Sequence, residues 1–537
     1  MFSVGARFFE LRRFKHGVVV AAHPLAAQAG VSILRRGGNA VDAAVGTALT
    51  LGVVTPAFCG IGGGGFALLW LANEDKPVFV DYRERAPASA TESMFRVTPK
   101  GNVVGDANSV GYMAIGVPGT LAGDSLLLQD YGSLRLRDVI APAMEQARKA
   151  FLVSRGMAQV WRKSLSKLRR FKGSRETYLN RGRPYRQGET IALKDLARTL
   201  STIARNGISE FYTGSISKKI IRDAQTGGGL VSESDLERFQ PTLREPVRGG
   251  FKDFEIISAP PPSCGGIIII QALKMLDQTT ERLDHNSAET LHLMSEILMR
   301  ANTSRALVCD PNSSPIQISK LISDSYCNEM KKSISPDKAS STLPHFDSPQ
   351  HINACTSHLS VIDSEGNAAS VTESVECYFG SGVVVPKTGI LLNDTMHDFD
   401  PNTGRLNSVG PGKIPMSSMS PTIVLKNGRP LLAVGSAGGP RIPSSTLQAL
   451  LNVTEFGMSV EDAVAAPRIH VNGALVQAES RIAPHTLAAL RKMGHKVEVR
   501  RPMEIYFGGV HAAYSNRITG ELDGGADPRR DGEPAGY

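Results

Sequence analysis

The stretch that decides the reading of this chain is Cys355-Thr356-Ser357-His358-Leu359-Ser360-Val361. From Thr356 onward polar and apolar residues alternate, the period-two pattern of a strand. A hydroxyl stands at its head. A threonine hydroxyl is a poor nucleophile until a base lies beside it. Cutting the chain just before the threonine supplies one, because the freed α-amine titrates at about 8 and takes the proton at neutral pH. In one reading, then, the chain is a precursor cut between Cys355 and Thr356. In another the heptapeptide is a Thr/Ser-rich strand with no chemistry. A cut one residue earlier would make the thiol of Cys355 the nucleophile instead.

Downstream of Thr356 the pattern is that of strands. They fit 356–363 and 367–374, with Ser364-Glu365-Gly366 as the hairpin turn, and 421–426 and 431–436 around Asn427-Gly428. Gly435-Ser436-Ala437-Gly438-Gly439 then opens a helix near 443–454. Upstream, residues 310–353 are polar, Pro/Ser-rich and weakly periodic, so an exposed connector is expected to lead into Thr356. Before it, the pattern predicts a buried strand at 17–22, helices at 24–36 and 39–52, and strands ending at Leu71 and spanning 78–82. Residues 135–225 read as mostly helical, and 284–307 as one long helix.

Two stretches invite more specific readings. The run Gly60-Ile61-Gly62-Gly63-Gly64-Gly65-Phe66 lacks the Lys-Ser/Thr of a phosphate loop and precedes a strand where a dinucleotide fingerprint precedes a helix. A tight turn where two backbones approach closely fits better. Arg83 follows directly on a strand, which suits either a fork for a substrate carboxylate or an ion pair with Glu84.

Composition describes a soluble globular protein: 537 residues, 41% hydrophobic and 21% charged. The net charge of +9 is modest for this length. The densest basic run, Arg148 to Arg175, has apolar residues at helical spacing (Ala158, Trp161, Leu165, Leu168), so it reads as an amphipathic surface helix and no nucleic-acid partner is expected. The six cysteines are scattered without a CxxC, which argues against a disulfide scaffold or a zinc finger and for a reducing compartment. The N-terminal apolar run is too short for a secretory segment, and no stretch is long enough to span a membrane. A cytoplasmic protein is expected, or an extracellular or periplasmic one if the N-terminus is incomplete.

Taken together, the motifs resemble the γ-glutamyltransferases (γ-glutamyl transpeptidases) of the N-terminal-nucleophile hydrolases, from about residue 17 to Tyr537. The resemblance is carried by HPLA (23–26), RRGGNAVDAAV (35–45), GIGGGGF (60–66), DYRERAP (81–87), GVPGTLAG (116–123), PPPSCGG (260–266), TSHLSV (356–361), FGSG (379–382), GILLND (389–394), PMSSMSPTIV (415–424), GSAGGPR (435–441) and ADPRRDGEPAGY (526–537). It implies an α+β fold, a four-layer αββα sandwich. It also implies self-cleavage into a large subunit, 1–355, and a small subunit, 356–537, which together form one αββα unit. The implied chemistry is acyl transfer without metal or cofactor. Thr356 attacks the γ-amide of a γ-glutamyl donor such as glutathione, and water or an amino acid or peptide takes the acyl group.

By the same resemblance, the N–H groups of Gly438 and Gly439 form the oxyanion hole and Ser374 supports the nucleophile. Ser417 and Ser418 hold the donor α-carboxylate, Arg83 pairs with it, and Asp398 receives the α-ammonium. Three positions depart from the family pattern: Glu376 in place of asparagine, Thr395 in place of glutamine or glutamate, and His397 in place of an acid. They leave open a related amidase or acylase with a non-glutamyl donor, of the cephalosporin-acylase or oxamate-amidohydrolase kind. The short stretch from Phe399 to Ile414 resembles members with an open, groove-like site.

Overall fold

Along the strand Gly17–Ala21 (β1), side chains alternate between two environments. Val18 and Val20 join one apolar cluster, and Val19 and Ala21 join another. The same alternation at Ile256 and Ile257 divides two clusters on Phe254–Ser258. Each strand is therefore apolar on both faces, which requires a covering layer on each side. A computed structural model describes residues 13–279, 283–340, 354–516 and 518–537.

With the strands of the two large sheets numbered along the chain, β2 is Gly64–Leu71, β3 Lys76–Asp81, β4 Thr242–Arg244, β5 Val247–Phe251 and β6 Phe254–Ser258. β7 is Ala354–Asp363, β8 Ala368–Cys377, β9 Thr422–Lys426, β10 Arg429–Ala437, β11 Gly509–Ser515, β12 Leu522–Ala526 and β13 Glu533–Gly536. The first sheet has the order β13-β1-β7-β8-β2-β3-β4 and the second β12-β11-β10-β9-β6-β5, antiparallel throughout. Between the sheets lie Val18, Val20, Phe66, Leu68, Ile423 and Ala433. The helices Pro24–Leu34 and Ala40–Val54 cover the outer face of the first sheet, and Gly265–Asp277, Ala288–Asn302 and Ile442–Thr454 cover that of the second. This is the expected four-layer αββα sandwich.

The central strands of the first sheet are interleaved: β7 lies between β1 and β8, and β8 between β7 and β2. A cut at 355–356 would thus leave each product holding strands of both sheets. The helix Ala40–Val54 is fully buried, and its N-terminus is closed by a capping box between Asn39 and Asp42.

Three expectations change. The long helix at 284–307 begins at Ala288 and ends at Asn302, continuing as a 3₁₀ turn to Leu307. The polar segment after residue 310 is not simply a connector. It contains the short helices Ile318–Leu321 and Asp324–Lys332, whose Leu321 and Cys327 are buried with the second outer layer. Residues 333–340 are held by Arg300 and Glu296, and residues 341–353 lie outside the described residues. The basic run forms three short helices, Arg155–Lys163, Leu165–Arg170 and Lys172–Tyr178. Its Trp161 and Leu168 are buried while Arg162, Lys163, Arg169 and Arg170 are exposed, as an amphipathic face requires. Among the described residues no helix is long and apolar enough to cross a membrane.

Candidate active site

The pairing of β7 with β8 is regular except at one point. The register shifts between Cys355 and Ser357, where Thr356 alone faces two residues of β8, Ser374 and Val375, so the bulge lies on β8 opposite Thr356. Bulges leave a residue out of the ladder and re-aim its side chain, and they recur next to active sites. At the bulge, the Ser374 hydroxyl of β8 donates to the Cys355 carbonyl oxygen at 2.6 Å and accepts from the Glu376 N–H at 2.8 Å. Thr356 Oγ1 lies 3.5 Å from Ser374 Oγ. The carbonyl of the expected scissile bond is therefore polarised by a hydroxyl, with the Thr356 hydroxyl beside that of Ser374.

Cys355 faces the other way. Its thiol lies 3.0 Å from the Ala57 carbonyl, within the cluster under the first helical layer. Burial pushes the thiol well up, against ionisation. The thiol reading of the nucleophile loses its support here, because alternation along β7 puts Cys355 and Thr356 on different faces.

His358 belongs to the frame and not to the chemistry. It is buried between the sheets, with Nδ1 2.8 Å from Thr372 Oγ1 and Nε2 3.0 Å from Ser360 Oγ. Burial drives its pKa well below the usual value, so it stays neutral.

The glycine run is a close approach, as expected. A Cβ on Gly63 would lie 2.1 Å from the Ser374 carbonyl oxygen and one on Gly62 2.0 Å from that of Leu391. At the far end of β10, Gly438 and Gly439 have φ of 129° and 57°, the region that favours glycine. The 3₁₀ turn Gly439–Arg441 packs against β7. Arg305 ties this turn to the serine pair, donating to Ser418 Oγ at 2.7 Å and to the Pro440 carbonyl at 2.9 Å. No local pattern marks Arg305. Ser417 Oγ accepts from the Met419 N–H at 3.1 Å, and its main chain bridges to Ser263 in the PPPSCGG loop.

The acyl side of the site is crowded with charge. Arg83 is buried, donates from Nε to the Pro415 carbonyl at 3.1 Å, and forms a tight ion pair with Asp398. Glu84 lies 3.7 Å from Arg83 and both its carboxylate oxygens are buried without a hydrogen-bond partner. Burial pushes its pKa up to about 7, against the pull of Arg83. Glu376 is held at φ 78°, an unusual conformation for a side-chain-bearing residue. Burial, and the adjacent Asp398 to which it is hydrogen-bonded, push its carboxyl well up. Asp394 accepts from the Cys377 N–H at 2.8 Å, and its other oxygen lies 3.8 Å from Lys167 Nζ. Lys167 is the one base of the basic helices described here as turned inward, reaching the Gly380 carbonyl at 2.6 Å. Thr395 is fully buried against Gly116, and its hydroxyl is unpartnered.

The structure thus brings Arg83, Glu376 and Asp398 together, gathers Thr356, Ser374 and Cys355 at the bulge, and packs Thr395 beneath the Gly116 turn. Glu84, Asp394, Cys377 and Arg305 complete the surroundings. The carboxylate next to Arg83 was visible in sequence as an ion-pair candidate and Asp394 ends the GILLND motif; Cys377 and Arg305 carried no signal.

Two antiparallel sheets packed face to face between helical layers, with a hydroxyl residue at the bulge of a central strand, define an N-terminal-nucleophile hydrolase fold. The profile of the family described as gamma-glutamyltranspeptidase matches residues 26–537, and the chain belongs to this family. It is 36% identical to a glutathione hydrolase proenzyme of Escherichia coli (strain K12) over 555 aligned positions, covering 100% of this chain and 94% of the relative. It is 35% identical to the acylase ACY 1 proenzyme of Pseudomonas sp. (strain SE83), covering 96% of this chain and 93% of the relative. Among solved structures, cephalosporin acylase from Bacillus halodurans superposes with a TM-score of 0.90 at 29% identity, covering 100% of this chain and 99% of that one.

Proposed function

We propose that the chain is the precursor of a γ-glutamyl hydrolase or transferase, and that it cuts itself between Cys355 and Thr356 into subunits 1–355 and 356–537. The observation that carries this reading is the 2.6 Å hydrogen bond from Ser374, on a β-bulge, to the Cys355 carbonyl, beside Thr356 Oγ1. In maturation Thr356 Oγ1 attacks that carbonyl, the bond to the Thr356 nitrogen breaks, and water hydrolyses the resulting ester. The freed amine then serves as base when the same oxygen attacks a donor amide. The Gly438 and Gly439 N–H groups receive the developing oxyanion, Ser417 and Ser418 hold the donor carboxylate, and glutathione is the donor class that the relatives' names point to. Water, an amino acid or a peptide takes the acyl group.

A second reading has its own support. Asp398, the expected partner of a donor ammonium, already pairs with Arg83 and shares a hydrogen bond with Glu376. A pocket so engaged suits a donor without the α-amine, as in a related acylase. Intact mass of wild type and Thr356→Ala tests maturation: two chains are expected for the first and one for the second, and a processed mutant overturns the assignment. Rates on γ-glutamyl-p-nitroanilide and its des-amino analogue then separate the donors. The γ-glutamyl reading requires a clear loss without the amine.

A further inference from the structure

Two groups of His, Cys, Asp or Glu side chains lie close enough together, among the described residues, to hold a metal ion: His292–Glu296–His495 and Glu376–Cys377–His397. Their geometry separates them. Tetrahedral zinc has bonds of about 2.0–2.1 Å to nitrogen and about 2.3 Å to sulfur, so two nitrogen ligands stand about 3.3 Å apart, and a sulfur and a nitrogen about 3.6 Å. In the first group His292 Nδ1 and His495 Nε2 are 2.8 Å apart, a hydrogen bond with no room for a shared ion. Glu296 is also engaged there, by Arg300 at 2.7 Å and by Ser340. That group ties residues 335–340 to the outer helix and is not a metal site.

The second group has the other spacing. Cys377 Sγ lies 3.6 Å from His397 Nδ1, the edge of a sulfur–nitrogen zinc tetrahedron, and the Glu376 carboxylate is within 4.8 Å of both ligand atoms. A thiolate, an imidazole and a carboxylate form a donor set suited to zinc. The charge around it points the same way. The carboxylates Glu84, Glu376, Asp394 and Asp398 surround two bases, Arg83 and Lys167. Asp394 is fully buried beside the group, accepting from the Cys377 N–H, with its other oxygen lacking a hydrogen-bond partner. The nineteen residues between Cys377 and His397 hide the group from any spacing rule.

We propose that Glu376, Cys377 and His397 form a three-ligand zinc site on the wall of the acyl pocket, and that zinc bound there closes the pocket to donor. The fourth position is left for water or a substrate oxygen. The blocking half rests on the donor-pocket reading of Glu376; the binding half does not.

Cobalt and zinc titrations of the processed wild-type protein test it. One ion per chain is expected, with a thiolate-to-cobalt charge-transfer band that zinc abolishes. Cys377→Ser should remove the band, and His397→Ala should weaken zinc at least about 10–100-fold, the loss seen when even outer partners of a metal site are removed. His495→Ala, at the other histidine pair, should bind as wild type. Should Cys377→Ser fail to fold, His397→Ala carries the same comparison. A missing band, or affinity unchanged in both variants, overturns the site and leaves the donor reading untouched. Zinc should also stop turnover of γ-glutamyl-p-nitroanilide, with recovery on chelation. Zinc bound at one per chain with turnover unchanged overturns the blocking half and counts against Glu376 as a donor-pocket residue.

Discussion

Two buried charge clusters of this molecule make opposite use of the same residue types. In the C-terminal motif, Asp527 pairs with Arg468 at 2.7 Å and with Arg529 at 2.9 Å, and Glu479 closes the set against Arg529 and Arg481. Acids and bases there satisfy one another, and the neighbouring arginines hold Asp527 well below the usual carboxylate range despite full burial. On the acyl side, four carboxylates share Arg83 and Lys167, and Glu84 and Glu376 are pushed up instead of down. A cluster in which every carboxylate meets two arginines fixes structure. A cluster with surplus acid is held by the fold at a cost and is ready for a cation, a proton or a substrate ammonium.

The comparison can be broken at several points. The largest effect is expected at the junction itself. Ser374→Ala removes the donor to the Cys355 carbonyl and should slow maturation about 10²–10³-fold, with Ser374→Thr recovering most of the rate. Time-resolved gel densitometry of the unprocessed band measures it, and equal rates would dismiss the polarising role.

In the matched cluster, Asp527→Asn leaves Arg468 and Arg529 short of an anion and should cost about 3–5 kcal/mol in denaturant unfolding. Because Asp527 is depressed in the folded state, its stabilisation is present at pH above the ordinary aspartate value and is lost as the solution is acidified. Wild type and mutant should therefore converge at low pH.

The surplus cluster should show the reverse sign. Glu84 is raised from 4.5 to about 7, so the folded state binds the extra proton between those values and loses stability as pH rises through them. Glu84→Gln should remove that slope, gaining up to about 3 kcal/mol over wild type between pH 4.5 and 8. Parallel pH–stability curves for the two proteins would contradict the assignment.

The smallest effect bears on the donor. Glu376→Leu takes away the hydrogen bond to Asp398 and should raise the preference for γ-glutamyl over des-amino donors by about tenfold in kcat/KM, the worth of one hydrogen bond to a charged group. An unchanged ratio would favour the acylase reading.

Much of the fold was legible locally. The strands around Ser364-Glu365-Gly366 and Asn427-Gly428, the first two helices and the close approach at Gly62 and Gly63 all follow from period, capping and turn chemistry. The segment after residue 310 was misread because its apolar residues, Leu321 and Cys327 among them, are too few to show a period within a polar background. At the site, Thr356, Asp394 and the Gly438–Gly439 pair stand in recognisable motifs. Arg305 does not, since it acts through a partner far along the chain.

By itself the sequence determined the layers, the candidate nucleophile and the three positions that depart from the family pattern, because these depend on which residue stands where in a short pattern. Tertiary structure alone decided that Arg83 pairs with Asp398 across 315 residues, that the Cys355 thiol turns away from Thr356, and that Glu376, Cys377 and His397 meet. Those contacts are made by neighbouring strands and loops that packing brings together, and a contact of that kind leaves no period in the chain for a reader to find.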